Sequence, residues 1–215
     1  MSELYWNTVT PVMQTIMRIF SKDPLSEEFY LAGGTALALQ LGHRLSVDLD
    51  FFSQTQSDIP ALAEPLRHAF KDYSPTLADS SWGNLVYLAE NVRVGFYGYG
   101  YELVRPLLEV EGFALASMED IGLMKMDALL ARASRKDFHD LYAICQRIPL
   151  RELFELAPSK YPSVRDFEAQ VTRHMVYFDR AEQEKSVPLI EKVDWETVKD
   201  WFRKQAKEIG SSWLG

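Results

Sequence analysis

One cysteine, four histidines and no apolar run long enough to span a bilayer leave several kinds of chemistry without material in this 215-residue chain. A lone Cys145 excludes an internal disulfide framework and fits a reducing compartment. It lies in the apolar run "LYAIC", which reads as core rather than as a nucleophile. His68, His139 and His174 have no spacing that suggests a zinc site. The longest uncharged apolar stretch, Leu31 to Gly42, is too short for a membrane helix, and Met1 to Trp6 carries Glu3 with no basic cluster ahead of an apolar run. The sequence therefore predicts a cytoplasmic protein with no signal peptide and no membrane segment.

Positive charge is also in short supply. Lys and Arg number 23 against 31 Asp and Glu, a formal net charge of -8, which argues against a protein that coats nucleic acid through a broad basic surface. The exception is residues 122–151, where Lys125, Arg132, Arg135, Lys136, Arg147 and Arg151 face only Asp127, Asp137 and Asp140. This segment reads either as a site for an anionic ligand or as a solvated helix face.

What remains is an ordinary globular composition, 47% hydrophobic and 25% charged. Pro11 behind Thr10 marks a capped helix start, followed by Val12, Ile16, Ile19 and Phe20 at helical spacing. "FYLAGG" predicts a strand entering a turn, "TALALQLG" two helical turns stopped by Gly42, and "SVDLDFF" a strand. "SQTQSDIP" reads as a loop and "ALAEPLRHAFKDY" as a helix. "NLVYLAENVRVGFYGY" reads as a hairpin turning at Glu90 and Asn91. From "ASMEDIGLM" onward the pattern is helical, and the last helix starts at an Asp194 cap and ends at Gly210. The predicted fold class is α+β: an α/β core over residues 1–115 and a helical region over 116–215.

Within the core, "GGTALALQLGHRLSVDLDFF" carries the chemistry. Gly33 and Gly34, between strand and helix, let backbone N–H groups line a concavity at a helix N-terminus that favours phosphate oxygens. Thr35 could cap that helix or touch a phosphate. Asp48 and Asp50 lie two apart on a strand and so share a face, with Val47, Leu49 and Phe51 directed to the core. Two adjacent like charges raise the cost of ionisation unless a cation sits between them, and a hard divalent ion carrying substrate phosphates meets that need. Taken alone, "DLD" reads as readily as an exposed edge strand with solvated aspartates. The glycine bend ahead of it favours the metal-bound triphosphate.

Gly-Gly-Thr followed by Asp-x-Asp resembles the signature of the polymerase-beta-type nucleotidyltransferase fold, and "YLAGGTALALQLGHRLSVDLDFF" resembles the AbiEii/AbiGii toxin family of nucleotidyltransferases. "SMEDIGLMKMDALLARASRKDFHDLYAI" is similar to that family's lysine helix and Asp-x-x-Asp segment, and the likeness reaches "YFDRAE" near residue 180. The resemblance implies a small mixed-sheet core and an activity that moves a nucleotide from an NTP to an acceptor hydroxyl, with Mg2+ as cofactor held by Asp48 and Asp50. It implies that Gly33, Gly34, Thr35 and Ser46 cradle phosphate oxygens, that Lys125 neutralises phosphate charge, and that Asp137 and Asp140 stand at the active-site rim. Arg44 matches the family's His-Arg pair and either reaches phosphate or neutralises Asp48.

Wound as one helix, Lys125, Arg132, Lys136 and Asp140 form one stripe that would meet a nucleotide. If Ser134 and Asp137 instead cap a new helix, the stripe is broken and Asp140 pairs with Arg132 or Arg135. By resemblance the acceptor is RNA, such as a tRNA end, or a protein, and a cognate antitoxin is an expected partner. Polymerase-beta-type enzymes generally carry a third carboxylate on a later strand. Here that position falls on Gly95, and neither Arg93 nor Tyr97 on the same face supplies a carboxylate. The alternative reading is therefore a nucleotide- or partner-binding module that retains the fold without turnover.

Overall fold

The structure is a computed structural model that describes residues 4–56 and 58–213. The first three residues, within the stretch where no leader is expected, and Ser57, within the expected loop, lie outside the described residues. The chain divides into two compact units, Met1–Ser117 and Met118–Gly215.

The first unit is built on a seven-stranded mixed sheet. Its strands are β1 (Tyr30–Leu31), β2 (Asp48–Ser53), β3 (Thr76–Ser81), β4 (Asn84–Ala89), β5 (Val92–Gly98), β6 (Leu108–Val110) and β7 (Phe113–Leu115), in the order β3-β4-β5-β2-β1-β7-β6. β2 is central, parallel to β5 on one side and antiparallel to β1 on the other. This overturns the edge-strand reading of "DLD". Leu49 and Phe51 are buried on one face, as expected. Val47, expected beside them, precedes the strand and is 59% exposed, because pairing begins only at Asp48.

Helix α1 (Pro11–Phe20) starts where Thr10 accepts a hydrogen bond from the Met13 N–H, and it buries Met13, Ile16, Met17 and Phe20 along one stripe. Phe20 meets Phe29, Phe51, Phe70 and Phe96 at ring-centroid distances of 4.8–6.2 Å. Each such fully buried side chain contributes about 1.5–3 kcal/mol. The Leu49/Phe51 face of β2 is thus committed to the core, which leaves the other face for Asp48 and Asp50. Helix α2 (Gly33–Leu41) follows β1, and α3 (Ala63–Ala69) tolerates Pro65 because it falls in the first turn.

The β4–β5 hairpin turns at Glu90 and Asn91, both in the left-handed region, as a two-residue primed turn requires. Three strands escaped the sequence reading. Every residue of β3 is exposed, so no apolar alternation announces it, and β6 and β7 have three residues each. The β3–β4 ladder also carries a register irregularity between Leu77 and Asp79.

The second unit is helical: α4 (Met118–Ala131), α5 (Arg135–Cys145), α6 (Leu150–Lys160), α7 (Phe167–His174), α8 (Asp179–Gln183) and α9 (Trp195–Ser212). The Asp194 carboxylate caps α9 at the Thr197 N–H, but the helix runs through Gly210 to Ser212 rather than stopping at the glycine. Phe138, Phe178, Trp195 and Phe202 pack together at 5.1–5.8 Å.

Two buried ionic joints tie α4 to its neighbours. Lys160, the last residue of α6, holds Asp120 at 2.8 Å with both side chains fully buried. Lys125 holds Asp137 at 2.9 Å and Asp140 at 2.7 Å on α5, again out of solvent. Burial alone would raise the Asp137 carboxyl. Lys125, Arg132 and the Ser134 hydroxyl outweigh that and hold it well below the usual carboxylate range.

Removing one partner of such a pair strands the other charge. Lys160→Met is expected to cost about 3–5 kcal/mol in urea unfolding, with much of the loss recovered when Asp120→Leu is added. Because the folded-state pKa of Asp137 is depressed, its stabilisation is complete above the unfolded value of about 4 and is lost as pH falls below it toward the folded value. Asp137→Asn is therefore expected to be less stable than the parent chain at pH 7, and the gap between them should narrow below about pH 4.

Candidate active site

The short route from β1 to α2 passes through Gly33, whose φ of +63° lies in the left-handed region that a side chain disfavours. A Cβ here would also come within 3.2 Å of the Asp50 Oδ2 atom, so the bend is pressed against that carboxylate. The Ala32 N–H donates to the Asp50 carbonyl at 3.0 Å, which pins the bend to β2. Ala32 is the N-cap of α2 and offers no side-chain acceptor, so the helix begins without a side-chain cap.

Thr35 does not cap the helix. It is the third residue of α2, and its buried hydroxyl donates to the Asp48 carbonyl and lies 2.7 Å from the Ser46 hydroxyl. Ser46 is buried as well. In this structure the Thr35 hydroxyl clamps α2 to the start of β2 through the Asp48 carbonyl, with Ser46 as its neighbour. Arg44 is buried too, with Nη1 donating to the Leu45 carbonyl at 2.9 Å.

Asp48 and Asp50 share one face of β2, and both are half-buried. Across the parallel pairing Asp48 stands opposite Arg93 and Asp50 opposite Gly95, the register expected from period-2 alternation. What the sequence did not reveal is the path of Tyr97. Its ring stacks on Phe52 at 5.1 Å and reaches back over Gly95, where an added Cβ would lie 2.4 Å from the phenol oxygen. The phenol lies within reach of the Asp50 and Arg93 charges. Burial, helped by the Asp50 charge, pushes it up to about 12, so at neutral pH it is a donor. The signal was present in "RVGFY": a residue without a side chain between two large ones on the same face leaves room for a ring to fold down.

The helical-unit residues form a separate cluster. Ala133, at φ +45°, breaks the chain between α4 and α5, and Ser134 caps α5 by accepting from the Asp137 N–H. The single stripe of Lys125, Arg132, Lys136 and Asp140 is therefore broken, and Lys136 is exposed on the first turn of α5. Arg132 grips Asp137 with two hydrogen bonds, at 2.8 and 2.9 Å, and its side chain is 53% exposed. Asp137 and Asp140 are fully buried within the helical unit. Asp140 takes Lys125 as a partner at 2.7 Å. The Lys125 ammonium thus spends two of its three N–H donors on carboxylates.

Other chemistry has little support. Burial pushes the Cys145 thiol up to about 12, leaving it protonated at neutral pH. Among the described residues, no group of three or more His, Cys, Asp or Glu side chains is arranged to hold a metal ion, and no helix is long and apolar enough to cross a membrane.

The family model for the nucleotidyl transferase AbiEii toxin of type IV toxin-antitoxin systems matches residues 15–80, the segment that holds the glycine bend and both aspartates. An uncharacterized protein of Aquifex aeolicus (strain VF5) is 32% identical over 194 residues, 86% of this chain and 89% of its own. Among solved structures, MenT4, a nucleotidyltransferase toxin of Mycobacterium tuberculosis H37Rv, aligns with a TM-score of 0.60 at 15% identity over 90% of this chain and 82% of that one. A candidate nucleotidyltransferase from H. pylori aligns with a TM-score of 0.55 at 19% identity over 93% of both chains. These structural likenesses speak to the fold; the AbiEii nucleotidyltransferase toxin model supplies the sequence match for residues 15–80, and the Aquifex aeolicus relative carries sequence likeness over most of the chain.

Proposed function

We propose that this chain transfers a nucleotide from an NTP to an acceptor hydroxyl, with Mg2+ as the cofactor. One observation carries the reading: two half-buried carboxylates share a face of the central strand, with a glycine bend pressed against the second. That donor set suits a hard cation. It offers oxygen ligands only, and too few of them to enclose an ion, so it fits an ion that arrives with phosphate oxygens of its own. When bound, Mg2+ would supply Lewis acidity at the phosphates.

The protein's own residues do the rest. Asp48 and Asp50 would hold the ion. The uncapped start of α2, at Gly33 and Gly34, would present backbone N–H groups to phosphate oxygens. Thr35 and Ser46 keep Asp48 in register. Lys125 has at most one N–H donor left for a substrate oxygen, so its main effect on phosphate is as a positive point charge balanced by Asp137 and Asp140. The Arg132 side chain is 53% exposed while it grips Asp137, and it would lend positive charge toward an anion. Arg44 and Lys136 would be the remaining nucleotide-binding cations.

The acceptor class proposed is RNA, such as a tRNA end, or a protein, in the cytoplasm, with an antitoxin as the regulatory partner. With a net charge of -8, an RNA acceptor would have to be held by a local basic surface. A second reading, a nucleotide-binding module without turnover, draws support from Gly95 opposite Asp50, where no third carboxylate is supplied.

Incubation with labelled NTPs and Mg2+, followed by analysis of total RNA and of the protein itself, separates the two. Transfer by the parent chain that falls at least about 100-fold in Asp48→Ala and in Asp50→Ala supports the enzyme. Nucleotide binding with no label transferred supports the module. Gly33→Ala, which adds a methyl group at a left-handed position against Asp50, is expected to lose most transfer while unfolding within a few degrees of the parent chain. Loss of the folded state in that variant would show instead that the bend is chiefly structural.

A further inference from the structure

The mechanism above leaves Tyr97, a polar group beside the carboxylates, without a part. Tyr97 lies on the Asp48/Asp50 face of the sheet, two residues beyond Gly95 on β5, and its cross-strand partner is Phe52. Its ring is fixed on Phe52, with centroids 5.1 Å apart and planes inclined by 28°. From there it folds back along the strand, so that the phenol oxygen sits over Gly95, directly across the ladder from Asp50. A Cβ at Gly95 would come within 2.4–2.6 Å of the phenol oxygen and two ring carbons, so the ring occupies space that only glycine leaves open. The phenol is thus held next to Asp50, close enough to feel its charge, with Arg93 acting on it in the opposite sense.

We infer that Tyr97 is a positioning residue for Asp50, its phenol filling the space across from that carboxylate and fixing the carboxylate's orientation through a hydrogen bond, with Gly95 present to make room for the ring. The inference deepens the proposed function and rests on it, since it concerns the residue that aims one of the two expected metal ligands. The physical reason is rotational. A carboxylate on a strand turns about two side-chain bonds, and a donor anchored by ring stacking removes that freedom without adding a charge. A carboxylate in the same place would bring a third negative charge against Asp48 and Asp50, whereas a neutral phenol adds none.

Tyr97→Phe keeps the ring and its stacking and removes only the hydroxyl. Hydrogen-bond partners of ligating carboxylates typically change metal affinity by about 10–100-fold. Titration with Mn2+ alone, followed by water-proton relaxation, is therefore expected to show at least a 10-fold weaker affinity in Tyr97→Phe. Gly95→Ala, which pushes the phenol aside, should weaken it similarly. A cycle of Tyr97→Phe and Asp50→Asn, measured by denaturant unfolding in EDTA, should be non-additive in midpoint.

Unchanged Mn2+ affinity in Tyr97→Phe, or additivity in EDTA, overturns the inference. Mn2+ binding that is the same in the parent chain and in Asp50→Asn overturns the metal-site reading and the inference with it. The EDTA cycle distinguishes that failure, because the Tyr97–Asp50 contact does not need the ion.

Discussion

Two aspartates on one face of an interior strand set the terms for the surrounding core. Strand β2 is paired on both sides, so neither Asp48 nor Asp50 can relieve its charge by swinging to a sheet edge. The opposite face of the strand holds Leu49 and Phe51 under the phenylalanine cluster, and a slip of one residue would drive the carboxylates into that cluster. Register is therefore enforced by what the core excludes. Around this fixed strand, each neighbour is small, neutral or cationic where it meets the pair: Gly33 at the bend, Gly95 across the ladder, Tyr97 above it and Arg93 beside it.

The helical unit handles buried charge in another way. Lys125 with its two aspartates, and Lys160 with Asp120, are paired out of solvent. Such pairs do little for net stability when compared with apolar substitutes, but they penalise any packing that separates them. They select the docking of α5 and α6 on α4 more than they strengthen it. Residues that the family resemblance placed among the catalytic groups thus have a structural part as well, and a loss of activity on replacing Asp137 or Asp140 would carry both contributions.

How far the sequence could be read depended on what kind of signal each feature leaves. The central strand, the glycine bend and the β4–β5 hairpin were legible, because period-2 alternation and turn residues are local properties. The β3 strand was not, since a strand exposed at every position has no pattern to detect. The destinations of the Thr35 and Ser46 hydroxyls were equally hidden, because residue type says that a hydroxyl will find a partner without saying which one. For Asp140, a broken stripe pointed to Arg132 or Arg135 as partner. Lys125, which it meets in the structure, lies one helix earlier and becomes a neighbour only through the packing of α4 on α5. The Tyr97 phenol escaped for a related reason: strand alternation gives the face of a side chain, while the lean of a ring along the strand depends on the empty space at Gly95.

Among the described residues β3 forms one margin of the seven-stranded sheet, a geometry that invites a second chain to join by main-chain hydrogen bonding. Leu77 and the adjoining Trp82 stand exposed there, so composition alone does not discourage such an intruder. The irregular register between Leu77 and Asp79 breaks the flat run that an added strand would need, so this margin is guarded by its shape.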